Sequence, residues 1–264
     1  MVGASFPTFQ FLAGMASGLA GGVLSGLFGM GGGIVLIPLL ALLLGLNQHQ
    51  AQGVTLAAML LPNGLPAVLH FRRRGIPLHW PLVGALLASF LPGVWIGAKI
   101  ANRIPEGPLR IGFVGFLLLL AARTFLEKPR AVQTEAQPLP PPRWAPGLAI
   151  GLLGGIFAGM LGLGGGVVMI PLLVIWLKLP QHEAQLASIA VMLPPVGLPG
   201  VIVYARSQAF FPWIMLIGLS LGFQAGALGG ARMATRIAGP RLQRIFAVVM
   251  VILAGVLLVS SRRG

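Results

Sequence analysis

Apolar residues in this chain fall into long runs, and polar residues collect in the short segments between them. A helix crossing a bilayer core needs about 20 apolar residues. The first run, Phe6 to Phe28, carries no charge, no basic leader and no clear cleavage site, so it reads as a spanning helix and not a cleaved signal. Ile34 to Leu46 follows a glycine cluster and is short, and Ala51 to Phe71 is interrupted by Pro62 and Pro66. Leu78 to Ala101 and Leu109 to Leu126 are full-length. Five more runs follow: Gly147 to Leu161, Val167 to Leu179, Ala184 to Tyr204, Phe211 to Met233 and Leu242 to Ser260. The pattern predicts an all-α polytopic membrane protein with about ten membrane segments.

Between the two sets of runs, Glu127 to Pro146 is polar and carries Pro138, Pro140, Pro141 and Pro142 close together, the composition of a semi-rigid linker. It divides the chain into a first membrane repeat, 1–126, a linker, 127–146, expected on the cytoplasmic side, and a second repeat, 147–264. The halves are related by duplication. GMGGGIVLIPLL at Gly29 to Leu40 returns as GLGGGVVMIPLL at Gly162 to Leu173, an offset of 133. In the same register Gln48-His49 meets Gln181-His182, Gly64-Leu65-Pro66 meets Gly197-Leu198-Pro199, and Trp80 meets Trp213.

An odd number of runs per repeat predicts that the second repeat inserts upside down. Basic residues favour the cytoplasmic side of membrane segments. With the N-terminus outside, twelve of the eighteen Arg and Lys residues fall inside, among them Arg72 to Arg74, Arg143 and Lys178, and six outside, among them Lys99, Arg103 and Arg110. A parallel arrangement stays open if one short run per repeat is re-entrant.

Composition narrows the class. Of the 264 residues, 56% are hydrophobic and 8% charged, about a third of the charge of a soluble domain. That excludes a soluble enzyme and a disordered scaffold, and the absence of cysteine excludes a disulfide-bonded domain and thiolate chemistry. A net charge of +14 would suggest nucleic acid in a soluble chain, but here the cations lie between apolar runs and face lipid headgroups, so no nucleic-acid partner is expected. There is no Asp, and the acids are Glu106, Glu127, Glu135 and Glu183, three of them expected in loops or the linker. Cation transport normally buries acids in the spans, so an anionic substrate fits better.

Each repeat breaks its backbone twice within a membrane segment, at Gly31-Gly32-Gly33 or Gly164-Gly165-Gly166 and at a doubled proline around Asn63 or Val196. Irregular backbone at membrane depth is tolerated where it is buried in protein or lines a wet cavity. A glycine cluster opening a helix offers backbone N–H groups and the positive dipole end to an anion, and paired broken helices are the usual way a transporter builds a midplane site. The alternative is close helix packing, the better reading for the stripes Gly14-Gly18-Gly22-Gly26 and Gly222-Gly226-Gly230. Gln48, Gln52 and Thr55 lie on one helical face at i, i+4 and i+7. Gln52, Thr55 and Asn63, with Gln185 and Ser188 in the second repeat, are candidate side-chain ligands, whereas Gln48 and His49 are equally well read as helix-start capping residues.

Enzyme motifs fail. His182-Glu183 begins an HExxH, but Leu186 stands where the second His is needed, so no metal site is expected. The glycine clusters lack GxGxxG spacing and follow no strand, which rejects dinucleotide binding, and no cofactor is expected. Ser25 with His70 is a weak pair that the other repeat does not match.

The elements GLFGMGGGIVLIPLL and GMLGLGGGVVMIPLL, with the QHxAQ segments after them, resemble the TauE/SafE family of membrane permeases, and the resemblance runs from about Leu12 to Leu258. It implies a multi-pass permease of the inner (plasma) membrane that moves small sulfur-containing anions, sulfite or an organosulfonate, most often outward. Membrane lipids and the small anion are the expected partners, with a homodimer as one option. The alternative function is a membrane-embedded enzyme or assembly factor without transport activity.

Overall fold

The structure is a computed structural model that describes residues 7–28, 33–60, 68, 72–73, 75–126, 144–207, 213–234 and 239–260. The described residues form eleven helices. In the first repeat these are α1 (Pro7–Phe28), α2 (Gly33–Leu44), α3 (Gln48–Ala58), α4 (Trp80–Arg103) and α5 (Glu106–Leu126). In the second they are α6 (Trp144–Leu161), α7 (Gly166–Trp176), α8 (Gln181–Val191), α9 (Leu198–Ser207), α10 (Trp213–Ala234) and α11 (Gly239–Ser260).

Local chemistry sets the helix ends. Asn47 caps α3: its side chain accepts the Gln50 N–H at 2.8 Å, and its own N–H donates to Gln50 Oε1 at 3.1 Å. This reciprocal box satisfies two amides that a helix start leaves unpaired. It gives the capping role to Asn47 and Gln50, not to Gln48 or His49. Helix α6 begins at Trp144, inside the stretch that composition assigns to the linker. Pro146 fits there because the first turn of a helix leaves N–H groups unbonded in any case. The run Ala184 to Tyr204 is two helices, α8 and α9, parted at Met192 to Gly197 by Pro194 and Pro195. The matching break in the first repeat, around Asn63, lies outside the described residues.

Among the described residues, three helices are long and apolar enough to cross a membrane: Trp80–Arg103, Trp144–Leu161 and Trp213–Gly230. Helices α2, α3, α7, α8 and α9 have 10 to 12 residues each. At 1.5 Å per residue each reaches about half-way through the ~30 Å hydrocarbon core. The short runs therefore act as half-spans whose ends fall inside the protein.

Glycine stripes join the long helices in two pairs. An added Cβ at Gly14, Gly18 or Gly22 would stand 2.1–2.3 Å from the carbonyls of Met215, Leu219 and Phe223 on α10. A Cβ at Gly93 or Gly97 on α4 would stand 2.6 or 2.1 Å from the carbonyl oxygens of Leu152 and Ile156 on α6. Residue numbers rise together in both pairs, so α1 runs parallel to α10 and α4 parallel to α6. The two pairs are images of each other, since α1 corresponds to α6 and α4 to α10. Gly14, Gly18, Gly22, Gly222, Gly226 and Gly230 are thus packing residues: backbones touch where a side chain would hold them apart.

The ends of α4 mark two levels of the molecule. At its start, His79 Nε2 lies 3.6 Å from Glu183 Oε2 in the first turn of α8. Beyond its other end, Glu106 accepts the N–H of Gln48, the first residue of α3, at 3.2 Å. Helices α3 and α8 therefore start from opposite ends of a 24-residue helix and run toward the interior. Outside, Phe9, Leu119, Ile111, Ile175 and Ile252 are exposed, as is Trp at the first residue of α4, α6 and α10. An apolar shell with tryptophan at helix ends suits lipid contact and headgroup anchoring.

Candidate functional site

The second glycine cluster forms a tight turn between α6 and α7. Gly162 and Gly164 have φ of +69° and +72°, the left-handed region that a Cβ disfavours. Gly165 precedes α7 as its N-cap, and its carbonyl accepts the N–H groups of Met169 at 2.8 Å and Val168 at 3.2 Å. The amides of Gly166 and Val167 come before the first intrahelical bond, at the positive end of the helix dipole.

The turn is enclosed by both repeats. A Cβ at Gly33, the first residue of α2, would stand 2.4 Å from the Gly162 carbonyl oxygen and 2.6 Å from Leu163 Cα, so the two glycine-rich elements meet. At Gly162 the nearest backbone is that of Gln52, 3.0 Å from the Cβ position. Gly164 faces the thioethers of Met59 and Met192, which are repeat mates. Gly166 faces Ser188 Oγ, 3.4 Å from its Cβ position. The turn thus sits between α3 and α8, the two half-spans that enter from opposite ends.

Polar side chains beside the turn are deeply buried. Gln52 and Thr55 are 0% exposed and Ser188 1%. Gln52 Nε2, Thr55 Oγ1 and Ser188 Oγ have no hydrogen-bond partner among the described residues. A buried donor left unpaired costs about 1–3 kcal/mol, and two of these groups border the turn, Gln52 against Gly162 and Ser188 against Gly166, which suits a polar guest there. Of the sequence candidates, the structure brings together Gly33, Gln52, Gly164, Gly165, Gly166 and Ser188, with Thr55 buried on α3 one turn beyond Gln52. Gln185 is half-buried on α8. Gly31, Gly32 and Asn63 lie outside the described residues, as does His70.

Sequence reasoning missed Tyr204. Its side chain is 0% exposed, and its hydroxyl lies 2.9 Å from both Gln52 Oε1 and the Gly159 carbonyl, donating its one proton to either. The His49 ring lies across it, 6.4 Å between centroids. The available signal was that Tyr204 is the chain's one tyrosine and that Phe71 holds the equivalent place in the first repeat. Glu106, expected in a loop, instead opens α5, where it pairs with Arg110 and receives the Gln48 amide. Its carboxylate suits the positive end of that helix. His182 and Glu183 diverge: the histidine is exposed and the glutamate buried against His79.

Short helices meeting at buried unpaired donors within an apolar shell are the architecture of a membrane transporter. The chain belongs to the sulfite exporter TauE/SafE family, whose profile matches residues 14–257. It is similar to a "Probable membrane transporter protein" of Haemophilus influenzae, 28% identical over 59% of this chain and 58% of that one. A protein of the same description from Xylella fastidiosa is 25% identical over 90% of this chain and 91% of its own. YunE of Bacillus subtilis, also described as a probable membrane transporter protein, is 22% identical over 89% and 93%. No solved structure matches.

Proposed function

We propose that this protein carries small sulfur-containing anions, sulfite or an organosulfonate, outward across the inner membrane through a site between its two repeats near the bilayer midplane. The observation that carries the reading is the Gly162–Gly166 turn. It aims the start of α7 between α3 and α8 and is bordered by Gln52 and Ser188, whose Nε2 and Oγ are buried with no partner among the described residues. Such a site coordinates an oxyanion with amides, and it avoids the cost of placing an Arg at the centre of the bilayer. By the internal duplication, Gly31 to Gly33 approach from the other side, with Asn63 and Gln185 as further donors. The sulfur class of the substrate comes from the family, not from the donor set.

Ten membrane segments in two inverted sets of five fit this reading, with 1–126 and 147–264 as the repeats and 127–146 as a cytoplasmic linker. Inversion is supported by the two contacts at the ends of α4. Parallel repeats would start α3 and α8 at the same face, yet Gln48 reaches Glu106 at one end of α4 and Glu183 reaches His79 at the other.

The test is tracer flux in proteoliposomes across sulfite, thiosulfate, sulfoacetate, sulfate and acetate. Saturable flux of one or more sulfur anions, with acetate excluded, is the expected result. Absence of flux for every sulfur anion from correctly inserted protein overturns the reading.

A further inference from the structure

The unpaired polar atoms do not stop at the glycine turn. Both amide atoms of Gln48 are buried without a partner among the described residues, and with Gln52 Nε2 and Thr55 Oγ1 they continue along one face of α3. All three residues are 0% exposed. From position 48 to 55 the helix rises about 10 Å. The face turned away from them, Gly53, Val54 and Ala57, is buried core. At the start of this file the carboxylate oxygen Glu106 Oε1 accepts the Gln48 N–H at 3.2 Å and pairs with Arg110. The guanidinium is not used up by that pair, since Arg110 Nε is buried with no partner of its own.

We propose that this face of α3 is the path by which the anion moves between the Arg110 end of the molecule and the Gly162–Gly166 turn, with Arg110 as the residue that draws it in. Nitrogen and hydroxyl donors recur along the file at Arg110, Gln48, Gln52 and Thr55, each within about one helical turn of the next, and Gln52 stands against Gly162 of the glycine turn. An oxyanion stripped of water on entering the protein needs a replacement donor at each stage, and this spacing supplies one. Glu106 neutralises part of the guanidinium charge, so the cation attracts an anion without holding it tightly.

The second repeat does not copy this entrance. The positions equivalent to Glu106 and Arg110 are Gly239 and Gln243, and the corresponding half-span, α8, starts instead at the Glu183–His79 contact. The two ends of the molecule are therefore chemically unlike, since the second repeat has no Glu–Arg pair at the equivalent positions. In the arrangement proposed above, the Arg110 end faces outside. The inference rests on the anion-transport reading of the same site.

The experiment uses the full chain in proteoliposomes, where the absence of native cysteine makes single introduced thiols unambiguous. Gln48→Cys, Gln52→Cys and Thr55→Cys stand on the file, and Val54→Cys and Ala57→Cys stand off it. An impermeant methanethiosulfonate bearing a sulfonate should modify the first three at least tenfold faster than the last two, and sulfoacetate should slow the reaction. Sulfite is unsuitable as the protectant because it attacks the reagent itself. Equal rates at all five positions, or no reaction at 48 and 55, overturns the path. In parallel, Arg110→Gln should raise KM for the transported anion about tenfold with maximal rate largely kept, and Arg110→Lys should restore most of it. An unchanged KM in Arg110→Gln removes Arg110 from the path. Flux of the unmodified chain is measured in the same vesicles: a failed labelling pattern with flux intact rejects the path alone, whereas loss of all sulfur-anion flux rejects the functional reading.

Discussion

The Tyr204 hydroxyl lies 2.9 Å from Gln52 Oε1, so a hydrogen bond ties α9 of the second repeat to α3 of the first. It holds the Gln52 side chain beside the glycine turn, with Nε2 left as a donor. Phe71 occupies the equivalent position, so the two repeats anchor their glutamines differently. Tyr204→Phe should keep the shape and lose the bond. We expect a stability loss of about 1–3 kcal/mol by thermal unfolding in detergent. Transport KM should rise about tenfold, or ~1.4 kcal/mol. An unchanged KM would mean that Gln52 does not meet the substrate.

Glycine substitutions separate the site from the scaffold. Gly166→Ala places a methyl 3.4 Å from Ser188 Oγ, an ordinary contact, at the start of a helix that favours Ala over Gly by up to ~1 kcal/mol. The variant should fold as well as the parent and transport at least tenfold more slowly, because the methyl fills the space between the helix start and Ser188. Wild-type flux would place the anion elsewhere. Gly165→Val is a poorer probe: its Cβ would lie 2.2 Å from the Phe90 ring, so loss of transport there reports a displaced ring as readily as a lost site.

Gly18→Ala tests the packing stripe. The added Cβ would stand 2.1 Å from the Leu219 carbonyl oxygen, forcing α1 and α10 apart. Overpacking of this kind costs about 1–3 kcal/mol, read as a lower melting temperature and a smaller folded yield. Gly84→Ala, with nothing within 4 Å of its Cβ, should stay within about 0.5 kcal/mol of the parent. Equal stability of the two variants would contradict the close α1–α10 contact.

Topology is open to the same cysteine chemistry. Residue 135 in the linker should label only from the cytoplasmic side, and Gly107→Cys, beside Glu106, only from outside. Both labelling from one side would reverse the inverted arrangement.

Glu183 is the acid buried most deeply among the described residues, 6% exposed and against His79. It sits in the first turn of α8, where a carboxylate suits the helix dipole whatever else it does. With no Asp in the chain, an obligatory carboxylate proton relay is not expected. Moving one charge through 100 mV supplies about 2.3 kcal/mol, enough for roughly a fifty-fold gradient. Glu183→Gln should therefore retain flux within about twofold. Abolished transport by folded protein would identify it as the coupling group.

Much of this molecule was legible from the sequence because membranes and duplication leave one-dimensional traces. Bilayer thickness sets the length of apolar runs, so the helical class and most helix bounds followed from counting residues. The 133-residue offset pairs Gly33 with Gly166 and Thr55 with Ser188 without reference to any contact. A glycine every fourth residue marked the packing faces. That Gln52 and Thr55 share one face of α3 was readable from their i, i+3 spacing. Contacts between residues far apart in sequence were not readable, since nothing local encodes them. Only the tertiary structure set Tyr204 beside Gln52, 152 residues away, and Gly33 against Leu163. It alone gave Glu106 a place at the start of α5 in reach of Gln48, and put His79 and Glu183 at one end of α4 with Gln48 and Glu106 at the other. The period of a helix says which residues share a face. What that face meets is decided by how the two repeats pack against each other.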